Sequence, residues 1–320
     1  QDVMIPHTIV LGRGLKVFKV YNGYYYWGRP STAELHADLR TVARDTYADW
    51  DITTPEMRAM VIDRLTPHLA RLNTLLGSRL TFHDTIMAAN DHVAGLVARH
   101  PGRIHGLASI DAYDGDRAAR EAERAIGTLG LRGLFVDCAR GDVMIDAPQA
   151  RPTLAVAARL GVPVFVHPVA PQPLTRQMAP YGVIGTLFAR GTINSASLIA
   201  LVEGGAFEEL PGLRVVVTAH AIGGLAMASG LSRQSRRPLG AIETMRRHVF
   251  IDTQMIHPAL IRAAVDLLGA DRVVAGSDWP IVDEGPIRKP LADAMQRAGL
   301  SSDEQQAIAS GNCRSLLGLN

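Results

Sequence analysis

Three apolar stretches of the chain end in a side chain that can bind a metal ion or move a proton. The stretch VPVFVHP reaches His167, LRVVVTAH reaches His220, and DRVVAGSDWP reaches Asp278. Each stretch is rich in valine, as the buried strands of parallel sheets are, and Pro168 ends the first of them. A buried imidazole or carboxylate without a partner carries a large desolvation penalty. We therefore expect a metal ion or a bound substrate to be the missing partner.

These residue types suggest metal-assisted chemistry. Two imidazoles and one carboxylate are ligands that suit Zn²⁺, and they also suit Mn²⁺ or Fe²⁺. Such an ion polarises an oxygen atom of the substrate or lowers the pKa of bound water. Asp278 is expected to bind the ion and also to move protons. His220 need not bind it, because an imidazole beside the metal can orient water or donate a proton.

The sequence predicts alternating strands and helices, which would bring these residues together. Strands are predicted at 103–111, 131–138, 162–168, 213–220, 248–253 and 271–280, and helices at 116–130, 147–161, 195–210, 258–269, 287–299 and 302–317, with a long loop after residue 168. Strands separated by helices of this length form right-handed βαβ units in a parallel sheet. The carboxyl ends of the strands then lie at one edge.

Eight such strands would close a (β/α)8 barrel, so the first hundred residues are expected to supply two more, near 3–11 and 79–85. An open doubly wound sheet is the competing fold. It usually has a glycine-rich phosphate turn after its first strand, and LGRGLK at 11–16 lacks the strand–turn–helix context of that turn. We predict one barrel domain over residues 1–320, with a loop and helical insertion at about 20–78.

Composition excludes several classes of partner. The 320 residues carry a formal net charge of +2, which gives no long-range attraction to nucleic acid or to an acidic membrane. The two cysteines, Cys138 and Cys313, have no metal-like spacing and are typical of a reducing cytoplasmic protein. The start of the sequence has no charged and apolar leader pattern, and the apolar stretch 213–231 is interrupted by His220 and two glycines. We therefore expect neither a signal peptide nor a membrane span.

The motifs around these residues resemble the amidohydrolase superfamily. VFVHP, VVVTAH followed by GG, VVAGSDWP and NDHVAGLVARHPGRIHGLASID at 90–111 are similar to its branch around aminocarboxymuconate-semialdehyde decarboxylase and the aromatic-acid decarboxylases. The resemblance covers roughly residues 90–318. It implies a distorted (β/α)8 TIM barrel of the metal-dependent hydrolase type. It also implies His167 and Asp278 as metal ligands, His220 as a catalytic residue beside the metal, and a homodimer.

Two departures from the family pattern bear on the metal. The family opens with His-x-His on its first strand, whereas this chain has His7, Thr8 and Ile9, so His7 is the one ligand expected there. The stretch LRGLFVDCAR contains no lysine to bridge two ions, which favours a single metal. Zinc is the expected metal, with manganese and iron as alternatives.

Substrate-binding candidates lie in three places. The stretch YNGYYYWGR at 21–29 contributes Tyr25 and Trp27, whose rings can stack on a planar substrate. Arg29 and Arg190 can pair with a substrate carboxylate, and Trp279 directly follows Asp278.

The resulting hypothesis is a metal-dependent decarboxylase, a carbon–carbon lyase that acts on a small aromatic or unsaturated carboxylic acid. One alternative is a mononuclear metal-dependent hydrolase of a lactone or amide. A second alternative is a metal-deficient, non-catalytic binding protein, which the isoleucine at position 9 suggests.

Overall fold

The computed structural model describes residues 7–11, 17–22, 37, 41, 82–278 and 287–319. The chain forms two compact units, Gln1–Phe82 and His83–Asn320. In the first unit, β1 (His7–Leu11) pairs antiparallel with β2 (Val17–Asn22), and Ile9 lies opposite Val20. The strand predicted near 3–11 is therefore confirmed as β1. The prediction of one domain over 1–320 remains a prediction.

Six parallel strands form the sheet of the second unit, in the spatial order β10-β9-β8-β7-β4-β3. They are β3 (Ala108–Ser109), β4 (Leu134–Asp137), β7 (Val164–His167), β8 (Val215–Val217), β9 (Val249–Asp252) and β10 (Val273–Val274), and a small hairpin of β5 (Ala139–Arg140) and β6 (Val143–Met144) follows β4. Each of the six strands in the parallel sheet lies within a predicted one, whereas the β5–β6 hairpin was not predicted; the α/β class is confirmed.

Helices separate these strands along the chain. They are α1 (Phe82–Arg99), α2 (Gly115–Gly127), α3 (Arg151–Leu160), α4 (Gln172–Met178), α5 (Gly182–Glu203), α6 (Ala206–Glu209), α7 (Ile222–Gly230), α8 (Ala241–His248), α9 (Pro258–Leu268), α10 (Arg288–Arg297), α11 (Ser302–Gln306) and α12 (Asn312–Leu316). A π-helical turn, Ala307–Gly311, joins the last two.

The core lies between the sheet and these helices. Leu134, Val164, Val215 and Val249 are fully buried, and each sits directly beside the next across β4, β7, β8 and β9. Burying an apolar side chain of this size stabilises the folded state by about 1.5–3 kcal/mol relative to leaving it exposed. The valine-rich runs therefore fix the register that brings the strand ends to one edge.

Asn90, the first residue of the 90–111 motif, has a structural role. It is fully buried, its Oδ1 accepts from the backbone N–H of Ser109 at 2.8 Å, and its Nδ2 donates to Glu121 at 2.8 Å. The side chain therefore holds β3 to α1 and α2. The motif marks a packing junction rather than a catalytic group.

Two expectations from the sequence are wrong. Residues 82–85, predicted as part of a strand, begin α1, because Ile86, Asn90, Val93 and Val97 recur at helical spacing. The predicted long loop after residue 168 contains α4 and the first half of α5. Pro180 and Gly182 indicate a loop by type, but they lie where α4 ends and α5 begins.

One helical stretch of the described residues, Gln172–Glu203, could cross a membrane by length and composition alone. An apolar core helix of a soluble protein satisfies the same criterion, so this finding is weak evidence.

Candidate active site at the carboxyl ends of the strands

His167 closes β7 and is held from both sides of its ring. It lies in register with Asp137 at the end of β4, and its Nδ1 is 3.0 Å from Oδ1 of Asp137. Its Nε2 is 3.0 Å from Nη2 of Arg190. A guanidinium can only donate, so Nε2 accepts and Nδ1 carries the hydrogen that is donated to Asp137. This tautomer is the one that a histidine ligand uses when a carboxylate supports it from behind.

Arg190 reaches this edge from α5. Its Nη2 also donates to the carbonyl oxygen of Pro168 at 2.9 Å, whereas its buried Nε has no hydrogen-bond partner in the part of the chain that the structure describes. Burial raises the pKa of Asp278 and lowers the pKa of His220, and the positive charge of Arg190 acts to lower both. The next residue is Gly191, where a Cβ would lie 2.9 Å from the carbonyl oxygen of His220. Glycine at this position lets α5 approach His220 closely.

His220 does not lie on a strand. β8 ends at Val217, and His220 sits in the short 3-10 turn Ala219–Ala221 that leads into α7. Burial lowers the pKa of its imidazole, and the charge of Arg190 adds to this effect. Its buried Nδ1 has no hydrogen-bond partner among the described residues. Burial therefore favours the neutral form of the His220 imidazole.

Asp278 follows β10 in a strained backbone conformation. Its φ is +56°, which non-glycine residues adopt rarely and which often marks functional sites. Gln254 donates from Nε2 to Oδ2 of Asp278 at 2.6 Å. Burial raises the pKa of Asp278, whereas Arg190, His167 and Gln254 act in the opposite direction.

Three consecutive residues at the end of β9 support both His220 and Asp278. Oδ1 of Asp252 accepts from the backbone N–H of Ala219 at 2.8 Å and from that of Gln254 at 3.0 Å. Thr253 Oγ1 donates to the carbonyl of Gly276 and accepts from its N–H, each at 3.1 Å. We call Asp252, Thr253 and Gln254 the β9 clamp.

The β9 clamp is not among the residues predicted from the sequence, although a signal for it was present. The run HVFIDTQ is another apolar strand that ends in a carboxylate, as β7 ends in His167. Asp252 keeps some accessible surface, but its carboxyl group is surrounded by protein atoms, and burial raises its pKa to about 6.

The donor set at this edge fits one divalent ion. Nε2 of His167 is the ring nitrogen that keeps a lone pair, the Asp278 side chain is a carboxylate held by Gln254, and Nδ1 of His220 has no partner in the part of the chain that the structure describes. Within the described residues, no three His, Cys, Asp or Glu side chains are grouped closely enough to hold a metal on their own. His7, the further metal ligand predicted from the sequence, stays a prediction.

The other predicted site residues cannot be placed. For His7 and Ile9 the structure describes only the backbone of β1. Tyr25, Trp27, Arg29 and Trp279 lie outside the described residues. Of the predicted set, the structure brings together His167, Arg190, His220 and Asp278.

Comparison with known proteins finds relatives along most of the chain. A family model described as "Amidohydrolase" matches residues 79–319. A gamma-resorcylate decarboxylase of Polaromonas sp. is 26% identical, with 74% of this chain and 77% of the relative covered. The 2-amino-3-carboxymuconate-6-semialdehyde decarboxylase of Dictyostelium discoideum is 24% identical, with 74% of this chain and 67% of the relative covered.

Solved structures confirm the fold. The dihydroxybenzoic acid decarboxylase of Polaromonas sp., solved with manganese and the inhibitor 2-nitroresorcinol, superposes with a TM-score of 0.66 at 23% identity. The match covers 74% of this chain and 76% of that structure. Such decarboxylases are TIM barrels, so the fold predicted from the sequence is confirmed.

Proposed function

Because the chain belongs to the amidohydrolase family and to its decarboxylase branch, we propose that it is a metal-dependent decarboxylase of a small aromatic or unsaturated carboxylic acid. One observation carries the proposal. The guanidinium of Arg190, the imidazole of His220 and the carboxyl of Asp278 lie at the carboxyl ends of the strands, where TIM-barrel enzymes place their active sites. The first suits an anionic substrate, and the other two suit proton transfer.

Binding of the substrate carboxylate is assigned to Arg190. Its side chain is partly buried and already held by the Pro168 carbonyl, so little conformational freedom remains to be lost. Guanidinium–carboxylate pairs are strong and directional because two parallel hydrogen bonds form. When bound, a divalent metal ion supplies additional positive charge for the oxygen atoms of the substrate.

Loss of CO₂ requires a proton at the carbon that carried the carboxylate. Asp278 or His220 delivers this proton; the bond from that carbon to the carboxylate breaks, and its electron pair restores the ring or double bond. Burial raises the pKa of Asp278 and so favours its protonated form. The net reaction consumes one proton for each CO₂ released.

Zinc is the proposed metal, with a single ion per chain. The support is the donor set of imidazole nitrogen and carboxylate oxygen, which also accommodates manganese, the metal named in the similar solved structure. Metal analysis of protein purified without chelators, followed by reconstitution with Zn²⁺, Mn²⁺ or Fe²⁺, tests this assignment. Equal activity without any metal would contradict it.

The reaction is tested by screening hydroxylated benzoic acids and unsaturated acids for CO₂ release, in parallel with lactones and amides for hydrolysis. Release of CO₂ supports the decarboxylase. Ring opening or amide cleavage without CO₂ would support the hydrolase alternative, which uses the same site with water as the nucleophile. Binding of acids without turnover of any compound would favour a non-catalytic protein.

We also propose a cytoplasmic homodimer. Four apolar side chains at the start of α5, Tyr181, Val183, Ile184 and Phe188, are between 59% and 82% exposed and offer a surface for a second copy. Both cysteines are free, as a reducing compartment requires. Light scattering of the purified protein tests the dimer, and fractionation of cells tests the location.

A further inference from the structure

Arg190 occupies the nitrogen of His167 that a metal ion would need. Its Nη2 lies 3.0 Å from Nε2 of His167, and the opposite ring nitrogen is engaged by Asp137. Nε2 has one lone pair in the plane of the ring. A hydrogen bond and a metal bond of about 2.0–2.1 Å cannot share that lone pair.

We propose that Arg190 and the divalent metal ion compete for Nε2 of His167, so that the guanidinium must leave this nitrogen before the ion binds. Charge reinforces the competition, because guanidinium and metal are both cations and the site is partly buried. Arg190 is therefore expected to weaken metal binding, although it lies among the residues that hold the metal.

The displaced guanidinium has an alternative partner. The Pro168 carbonyl can retain Nη2 at its present 2.9 Å, and the buried Nε has no partner among the described residues. This step rests on the proposed function: the substrate carboxylate pairs with the Arg190 guanidinium once that group has left His167. An anion that draws Arg190 away from His167 should tighten metal binding, and by linkage the metal should tighten anion binding.

Manganese titration of metal-free protein, followed by the electron paramagnetic resonance signal of free Mn²⁺, measures the competition without reference to turnover. Arg190→Met should bind Mn²⁺ at least tenfold more tightly than the wild type. The matched control is Arg176→Met, which removes the same charge from an exposed position on α4. It should change the dissociation constant less than twofold.

Addition of benzoate tests the second half of the proposal. In the wild type, benzoate should tighten Mn²⁺ binding at least fivefold, whereas in Arg190→Met the effect should be much smaller. Arg190→Gln provides a second neutral variant with the same expectation if the methionine variant does not fold.

The proposal is overturned if the neutral variants bind Mn²⁺ with the affinity of the wild type or more weakly, or if no form binds it. Tight binding by the variants alone, with none by the wild type, supports it. Failure of the decarboxylase assay leaves these affinities unchanged, so the two proposals are tested separately.

Discussion

The two ligand-type residues at this edge of the sheet, His167 and Asp278, are held in different ways. His167 sits between two charged side chains, Asp137 from the neighbouring strand and Arg190 from α5. Asp278 is held by the neutral amide of Gln254, in a backbone conformation with positive φ. Ionic partners fix the tautomer of the imidazole, whereas burial raises the pKa of the Asp278 carboxyl in spite of the hydrogen bond from Gln254.

This difference indicates a division of roles. A fixed tautomer that keeps the lone pair on Nε2 suits a group that binds a cation, because binding then needs no rearrangement of protons. A carboxyl group with raised pKa suits one that exchanges a proton during the reaction. The β9 clamp serves the second role, because it contacts the backbone beside His220 and the side chain of Asp278.

The largest expected effect is removal of either ligand. His167→Ala and Asp278→Ala should each abolish CO₂ release and lower the metal content, because each removes a donor from an ion with few protein ligands. Activity assays and elemental analysis measure both effects. His105→Ala, at an exposed position, is the control. Normal metal content with intact activity in either variant would refute the assignment of the site.

His220→Asn should leave the metal bound and lower the rate by about 10²–10⁴, which is the usual contribution of a positioned acid or base. Its Nδ1 has no hydrogen-bond partner among the described residues, and its backbone packs against Gly191, the residue after Arg190. Single-turnover rates and metal analysis together measure this. Loss of the metal would show that His220 is a ligand and that the division of roles is wrong.

Asp137→Asn tests whether a charged partner fixes the tautomer of His167. The amide can donate to Nδ1 of His167, which favours the tautomer with hydrogen on Nε2 and removes the lone pair that the metal needs. We expect metal affinity to fall by about 10–100-fold, the usual effect of changing a residue that supports a ligand. Isothermal titration measures it. An unchanged affinity would mean that Asp137 does not set the tautomer.

Gln254→Leu tests the role of the neutral amide that holds Asp278. Loss of the donor to Oδ2 of Asp278 should lower kcat by about tenfold with a smaller change in metal affinity. Gln296→Leu, on the exposed side of α10, is the control. Gln254→Leu would behave like Asp137→Asn if it weakened metal binding and kept its kcat at saturating metal. His167 and Asp278 would then not differ in role.

Local patterns in the sequence predict the strands that carry these residues, but they do not predict the contacts between distant residues. The β-branched runs that end in His167, His220 and Asp278 indicate buried strands, because their pattern is local. Arg190 was a candidate by type, yet its surroundings were predicted to be a loop, since Pro180 and Gly182 mark helix ends as readily as turns. Its contact with His167 joins residues 23 positions apart, and no local pattern contains it.

Asp252 was missed for another reason. A carboxylate that accepts only backbone hydrogen bonds lacks a partner residue that spacing could reveal, because any residue supplies an N–H. Likewise, Gly276 reads as an ordinary turn glycine. A Cβ there would lie 2.9 Å from Cβ of Asp252, so its role is to let β9 and β10 approach closely at their ends.

Asp252→Asn should have the smallest effect on turnover and a measurable effect on stability. Burial raises the pKa of Asp252 from 3.8 to about 6. Between these values the folded protein keeps a proton that the unfolded chain has released, so the stability contributed by this group falls as pH rises. This stabilisation amounts to at most about 3 kcal/mol. It is fully present below pH 3.8 and is lost above pH 6.

Asparagine has no such titration, and its Oδ1 can still accept from Ala219 and Gln254. The free energy of unfolding of Asp252→Asn, relative to the wild type, should therefore increase between pH 4 and pH 6 and then level off. Urea unfolding at a series of pH values measures this difference. A difference that does not change with pH would mean that Asp252 ionises normally in the fold. The β9 clamp would then act on His220 and Asp278 through geometry alone.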